Sequence, residues 1–183
     1  MSCFFIIFAQ LFLFIFSIET TLPAKEFVLS EGTKKLYETG VEKERLNKGN
    51  GKLEKARTEK LLDQFLPKPP AIILDVGGGM GVYSFGLAKK GYTVYLIDPV
   101  PVHIEEAKKI GQNVTGHSLK DYIVGDARKI EMADQSVDVV LFFGPLYHLD
   151  RSDRQIALAE AFRVLKRGGK FFAAGISKQA PLL

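Results

Sequence analysis

The 183-residue sequence contains no tryptophan, three histidines and a single cysteine. Cys3 alone cannot close an internal disulfide, so stability has to come from a packed core and no oxidising compartment is implied. There is no Cys-x-x-Cys pair and no cluster of His, Cys and carboxylate at ligand spacing, so no metal centre is expected. A Gly-x-x-x-x-Gly-Lys-[Ser/Thr] string is also lacking, which excludes a phosphate-binding P-loop. Charge is not concentrated in one sign. Lys and Arg number 25 against 21 Asp and Glu, for a net +4 and a pI near 9.1, and acids are interspersed among the bases throughout Lys34–Lys60. No basic stripe with interleaved aromatics marks a nucleic-acid groove. The longest apolar run, Phe4 to Ile18, is short of the roughly 20 residues that a spanning helix needs.

That run nevertheless stands apart. It holds six phenylalanines with Gln10 as a polar break, no Lys or Arg precedes it, and no small-x-small cleavage pattern follows it. Three readings stay open: an uncleaved anchor, a secretory signal, or an over-extended gene start. Under each of them residues 1–24 are expected to lie outside the fold, with membrane association only where the segment is retained. Residues 25–70 read as helical. A charged helix is expected over Thr33–Lys48, then a turn at Asn47–Gly51, then a second helix over Lys52–Leu66 stopped by Pro67, Pro69 and Pro70.

Residues 71–183 carry the chemistry. Ala71–Gly81 reads A-I-I-L-D-V-G-G-G-M-G: an apolar run suited to a strand covered on both faces, an acid, and then a glycine turn into a helix ending at Lys89-Lys90-Gly91. Strand, glycine turn, helix is the geometry in which backbone N–H groups face a bound ligand. A dinucleotide fingerprint would put its third glycine at Val82, where close helix packing wants Gly or Ala. Instead the spacing is D-x-G-x-G-x-G over Asp75, Gly77, Gly79 and Gly81. A second strand, Tyr92–Ile97, ends in Asp98, seventeen residues beyond Gly81. Its carboxylate offers acceptors to the two donors of a ribose diol. A third strand near Leu119–Val124 ends in Gly125-Asp126-Ala127. The fourth, Ser136–Phe143, runs into G-P-L-Y-H-L over Gly144–Leu149. A helix over Asp150–Lys166 follows, with Ser152-x-x-Gln155 read as a capping box and Leu158, Phe162 and Leu165 as its inner face. Gly168-Gly169 separate it from a fifth strand, Lys170–Ile176.

The D-x-G-x-G-x-G turn and the three strand-end motifs after it, in this order, resemble the class I methyltransferases that use S-adenosylmethionine. The G-P-L-Y-H-L string is similar to one found in a bacterial and archaeal subgroup. The resemblance spans roughly Thr33 to Ser177. It implies a doubly wound α/β, Rossmann-like parallel sheet of strand order 3-2-1-4-5, and S-adenosylmethionine as cofactor. Cofactor contacts are expected at Asp75, Gly77, Gly79, Gly81, Asp98, Asp126 and Ala127, with Asp126 accepting from the adenine amino group. Tyr147 and His148 are the substrate-side candidates, and Tyr37, Glu42 and Arg45 could line a helical cover. A small-molecule acceptor and a cytosolic methyl donor fit this reading. The family's closing strands do not follow Ile176, so strand five is expected as an open edge through which two copies could pair. Two rivals remain: an NAD(P)-dependent oxidoreductase, and a protein that binds the cofactor without catalysis.

Overall fold

The computed structural model describes residues 3–8, 49–114 and 118–176. Eleven elements follow in chain order: β1 (Cys3–Phe8), α1 (Asn50–Phe65), β2 (Ile72–Val76), α2 (Ser84–Lys89), β3 (Thr93–Asp98), α3 (Pro101–Asn113), β4 (Asp121–Val124), β5 (Val137–Phe142), a short 3-10 helix (Pro145–Tyr147), α4 (Arg151–Val164) and β6 (Leu165–Ile176). The helix expected over Thr33–Lys48, with Tyr37, Glu42 and Arg45, lies outside the described residues. So does most of the apolar run at 9–18. Among the described residues no helix is long and apolar enough to cross a membrane.

The strands form one sheet in the order β1-β6-β5-β2-β3-β4. The five from β6 to β4 are parallel. Counting only these in chain order gives 3-2-1-4-5, the order that the family resemblance implies. The register sets Asp75 beside Leu96 and Leu141, and Asp98 beside Val124. The acids and turns that end β2, β3, β4 and β5 are therefore gathered at one edge of the sheet.

Both faces are covered, which is why the parallel strands read as nearly unbroken apolar runs. On one face Leu74, Val76, Val140 and Phe142 pack against Ala157, Ala161 and Val164 of α4. On the other, Ile73, Val94, Leu96, Val139 and Leu141 pack against Leu62 of α1, Leu87 and Ala88 of α2, and Ile104 and Ala107 of α3. Burying each of the larger aliphatic side chains contributes about 1.5–3 kcal/mol. The Pro67 carbonyl accepts from the Tyr92 hydroxyl at 2.7 Å, which ties the end of α1 to the start of β3, away from the glycine turn.

Helix α4 corrects two local expectations. Its cap is Asp150, whose Oδ1 accepts from the Asp153 N–H at 2.8 Å and from the Ser152 hydroxyl at 2.7 Å, so no capping box forms at Ser152. Of the expected inner face, Leu165 is buried and Leu158 packs on the same core cluster, but Phe162 is 54% exposed, and the fully buried positions of the helix are Ala157, Ala161 and Val164. Small side chains let the helix axis approach the sheet, and Phe162 covers Phe171 from the flank with ring centroids 5.1 Å apart. The helix also ends sooner than expected. β6 begins at Leu165, and Lys166–Gly169 form a bulge between the pairs Val137–Leu165 and Val139–Lys170.

The expectation of an open edge at the fifth parallel strand is corrected as well. Cys3–Phe8 pairs antiparallel with Phe171–Ile176 in continuous register, from Cys3 beside Ile176 to Phe8 beside Phe171. These six residues of the N-terminal run therefore belong to the sheet and not outside it. The physical reason is that an edge strand presents unsatisfied N–H and C=O groups along its length, and any extended apolar segment of the same chain can meet them.

Asp75 is the one acid within the β2 core and fixes the start of the turn. It is 1% exposed, and its Oδ2 accepts from the Ser84 hydroxyl at 2.6 Å, joining β2 to the first residue of α2. Burial pushes its carboxyl up to about 6 from 3.8; the Ser84 bond opposes that shift and the nearby Asp98 charge adds to it.

Two predictions follow from the edge and from the acid. Deleting residues 1–8 should expose the outer edge of β6 and convert the protein to dimers or larger species in size-exclusion light scattering; an unchanged molar mass would contradict the β1–β6 pairing. Between pH 4 and 6 the folded state holds the Asp75 proton while the unfolded chain releases it, so this group makes stability fall as pH rises. The span is at most about 3 kcal/mol, at about 1.36 kcal/mol per tenfold change. Asp138 and Glu160, held below the usual carboxylate range first by Lys166 and Arg163 respectively, act in the opposite sense. The measurement is therefore a difference: denaturant melts of wild type and Asp75→Asn from pH 4 to 7. The variant should gain relative stability as pH rises, and parallel curves would contradict the burial argument.

Candidate functional site

The site is built at the C-terminal ends of β2, β3, β4 and β5. In the order 3-2-1-4-5 the chain switches direction between β2 and β5, the position at which open α/β sheets bind ligands. Gly77 leaves β2 with φ +66° and donates its N–H to the Ile97 carbonyl at 2.7 Å. A Cβ on Gly77 would lie 2.9 Å from the Pro145 ring, and one on Gly144 would lie 2.7 Å from the Gly77 carbonyl oxygen. The G-P-L-Y-H-L loop is thus seated directly on the glycine turn. Gly79 differs. At φ +58° its Cβ position has no heavy atom within 4 Å, so its glycine answers to backbone conformation and to open space above the turn. Gly81 closes the turn by donating to the Gly78 carbonyl at 3.0 Å, and its own carbonyl accepts from Phe85 at 3.2 Å. Val82 is 38% exposed, so the chain does not make the tight helix–strand packing for which a dinucleotide turn keeps its third glycine.

Asp98 lies beside this turn. Its Oδ2 accepts from the Gly79 N–H at 2.8 Å, and its Oδ1 from the Val100 N–H and from His103 Nδ1, both at 3.0 Å. One carboxylate therefore holds the glycine turn, the end of β3 and the first turn of α3. Asp75, expected among the cofactor contacts, lies instead beneath the turn: a Cβ on Gly78 would come within 2.6 Å of its carboxylate. It shapes the turn from below.

At the end of β4, Asp126 Oδ1 accepts from the Arg128 N–H at 2.8 Å, and the Arg128 guanidinium grips both carboxylate oxygens through Nε at 3.0 and 3.1 Å. Arg128 Nη1 continues to Asp153 of α4 at 2.9 Å. The Asp126 hydrogen bonds raise the Arg128 pKa still further. Ala127 is buried beside them. Beyond β5, Tyr147 is half-buried and His148 exposed, with their rings edge to face at 6.4 Å. Phe143 meets Tyr83, which follows the glycine turn, at 5.4 Å and 72°. The structure thus brings Gly79 and Asp98 into direct contact, with Gly77 bonded to Ile97 beside them. Asp126 with Ala127, and Tyr147 with His148, stand at the ends of the flanking strands.

Sequence reasoning missed His103 and Arg128. A usable signal existed for Arg128, since an acid followed two residues later by Arg at a strand end suits an Asx turn closed by an ion pair. His103 sits in the first turn of a helix and carried no motif.

A methyltransferase-domain family profile matches residues 74–173, more than half of the chain. The ubiquinone/menaquinone biosynthesis C-methyltransferase UbiE of Ruegeria sp. is 31% identical over 121 residues, covering 64% of this chain and 47% of that protein. An uncharacterised methyltransferase of Mycobacterium bovis is 30% identical over 110 residues, covering 60% and 41%. The chain spans about half the length, or less, of these curated relatives. Among solved structures, the PH0226 protein of Pyrococcus horikoshii superposes with a TM-score of 0.67 at 26% identity, covering 76% of this chain and 64% of that one. A SAM-dependent methyltransferase of Methanosarcina mazei does so with a TM-score of 0.56 at 29% identity, covering 62% and 55%. With the profile running from the middle of β2 into β6, this chain belongs to the methyltransferase-domain family.

Proposed function

We propose that this chain binds S-adenosylmethionine and transfers its methyl group to a small-molecule acceptor. The observation that carries the reading is the Gly77–Gly79 turn held against Asp98 at the switch point of the sheet. The turn fits the cofactor: the space over Gly79 is open, and the Asp98 carboxylate beside it keeps an acceptor for a ribose hydroxyl. Gly77 and Gly79 would let the backbone approach the cofactor, and Asp126 and Ala127 would border the adenine. Asp126 is partly committed to Arg128, so its remaining acceptor capacity lies on the exposed side of its carboxylate, which is 24% exposed.

When bound, the cofactor supplies a methyl group activated by a positively charged sulfur that leaves as a neutral thioether. What the chain adds is position. Holding donor and acceptor about 3 Å apart on one line is the main source of acceleration for such a displacement. Tyr147 and His148 border the space beyond β5, where the acceptor would lie. His148 is the residue able to take a proton from an acceptor that must lose one. Tyr83 and Phe143 offer an aromatic wall. The names of the curated relatives describe those longer proteins.

Calorimetry on the full chain tests the assignment. S-adenosylhomocysteine should bind and NADH should not. Gly79→Ala should weaken binding at least tenfold while the protein stays folded, because the added methyl meets open space and costs only the left-handed backbone strain of about 1–2 kcal/mol. NADH binding in preference to S-adenosylhomocysteine would overturn the cofactor. Turnover of a labelled methyl group in an extract of small metabolites separates transfer from binding alone.

A further inference from the structure

The geometry points to His103 as a positioning residue that holds the Asp98 carboxylate in the orientation in which one oxygen faces a nucleoside ribose; the inference rests on the cofactor reading above. An ionised carboxylate offers about four lone-pair sites. Asp98 spends two on Oδ1, where the Val100 N–H and His103 Nδ1 both lie at 3.0 Å. It spends one on Oδ2, where the Gly79 N–H lies at 2.8 Å. The remaining site is on Oδ2, the oxygen that accepts from the glycine turn. The arrangement therefore offers one strong acceptor to one ribose hydroxyl, in a fixed direction, and not a fork to both.

His103 is unusual for its place. It lies in the first turn of α3, on the face that also buries Ile104 and Ala107, and it is itself 8% exposed. An apolar residue would fill such a position at lower cost, because a buried imidazole must satisfy its polar atoms. Since an Asp98 oxygen can only accept, Nδ1 carries the proton, an assignment made from the contact geometry. The ring thus supplies a donor that backbone alone does not. Val100, the residue preceding α3, makes no side-chain cap bond, and without the imidazole the Val100 amide would be the one remaining donor on Oδ1. With one backbone donor left on each oxygen the carboxylate is held less firmly than with three donors, and part of its ordering falls on the binding step.

The test is calorimetry of S-adenosylhomocysteine and of its 2′-deoxy and 3′-deoxy analogues on the full chain, in wild type, His103→Leu and His103→Asn. Thermal melts of each run alongside. Wild type should bind S-adenosylhomocysteine about tenfold or more tightly than one of the two analogues. In His103→Leu that ratio should fall toward one through loss of S-adenosylhomocysteine affinity, with the weaker analogue nearly unaffected. His103→Asn, whose amide nitrogen can stand where Nδ1 stood, should restore most of the ratio. Where the leucine variant does not fold, His103→Met takes its place. Equal losses for all three ligands, or an unchanged ratio, overturns the assignment of His103 and leaves the cofactor reading standing. Failure of wild type to bind S-adenosylhomocysteine overturns both.

Discussion

The carboxylate of Asp98 is the point on which the site depends. It takes an N–H from the glycine turn after β2, an N–H from the segment entering α3, and the imidazole of His103. A buried charge is tolerable only where fixed donors replace water, and here three do so from two loops and a helix. The same contacts oblige the turn to fold back over the end of β3. Gly77 reinforces this by donating to Ile97, and Gly144-Pro145 press on it from the β5 side. Beneath lies a second acid, Asp75, kept in the core by Ser84. Asp98 is thus supplied with donors from several directions, and Asp75 with the Ser84 hydroxyl.

The architecture was legible because parallel strands covered on both faces leave apolar runs, and each run here ends in an acid or a glycine. I-I-L-D-V, T-V-Y-L-I-D and V-D-V-V-L-F all proved to be strands, displaced by no more than a residue or two. The strand order came from resemblance and not from the runs themselves, since hydrophobicity says which segments are buried but not which lie side by side. On α4, Phe162 was assigned inward because large apolar residues draw attention. The positions that meet the sheet are Ala157, Ala161 and Val164, spaced by four and three, and a close helix–sheet contact favours small side chains there.

What escaped the sequence was non-local. His103 reaches back five residues to Asp98 across a helix start, a separation with no periodic signature. Arg128 joins Asp126 to Asp153, twenty-five residues away. Pairing of Cys3–Phe8 with Phe171–Ile176 links the two ends of the described chain, and nothing in either segment names the other. Hydrophobicity made the first segment look like a membrane or targeting element. An apolar strand at a sheet edge has the same composition, and only the partner decides between them.

The central claim is that the ligand lies across the ends of β2, β3 and β4, touching the Gly77–Gly79 turn. Amide chemical-shift perturbation in a 15N-labelled full-length sample titrated with S-adenosylhomocysteine reads this residue by residue. The account predicts the largest shifts at Gly77, Gly79, Asp98, Val100, Asp126 and Ala127, with the amides of α1 unmoved. Saturable shifts confined to other elements, with the turn and Asp98 unaffected, would contradict it.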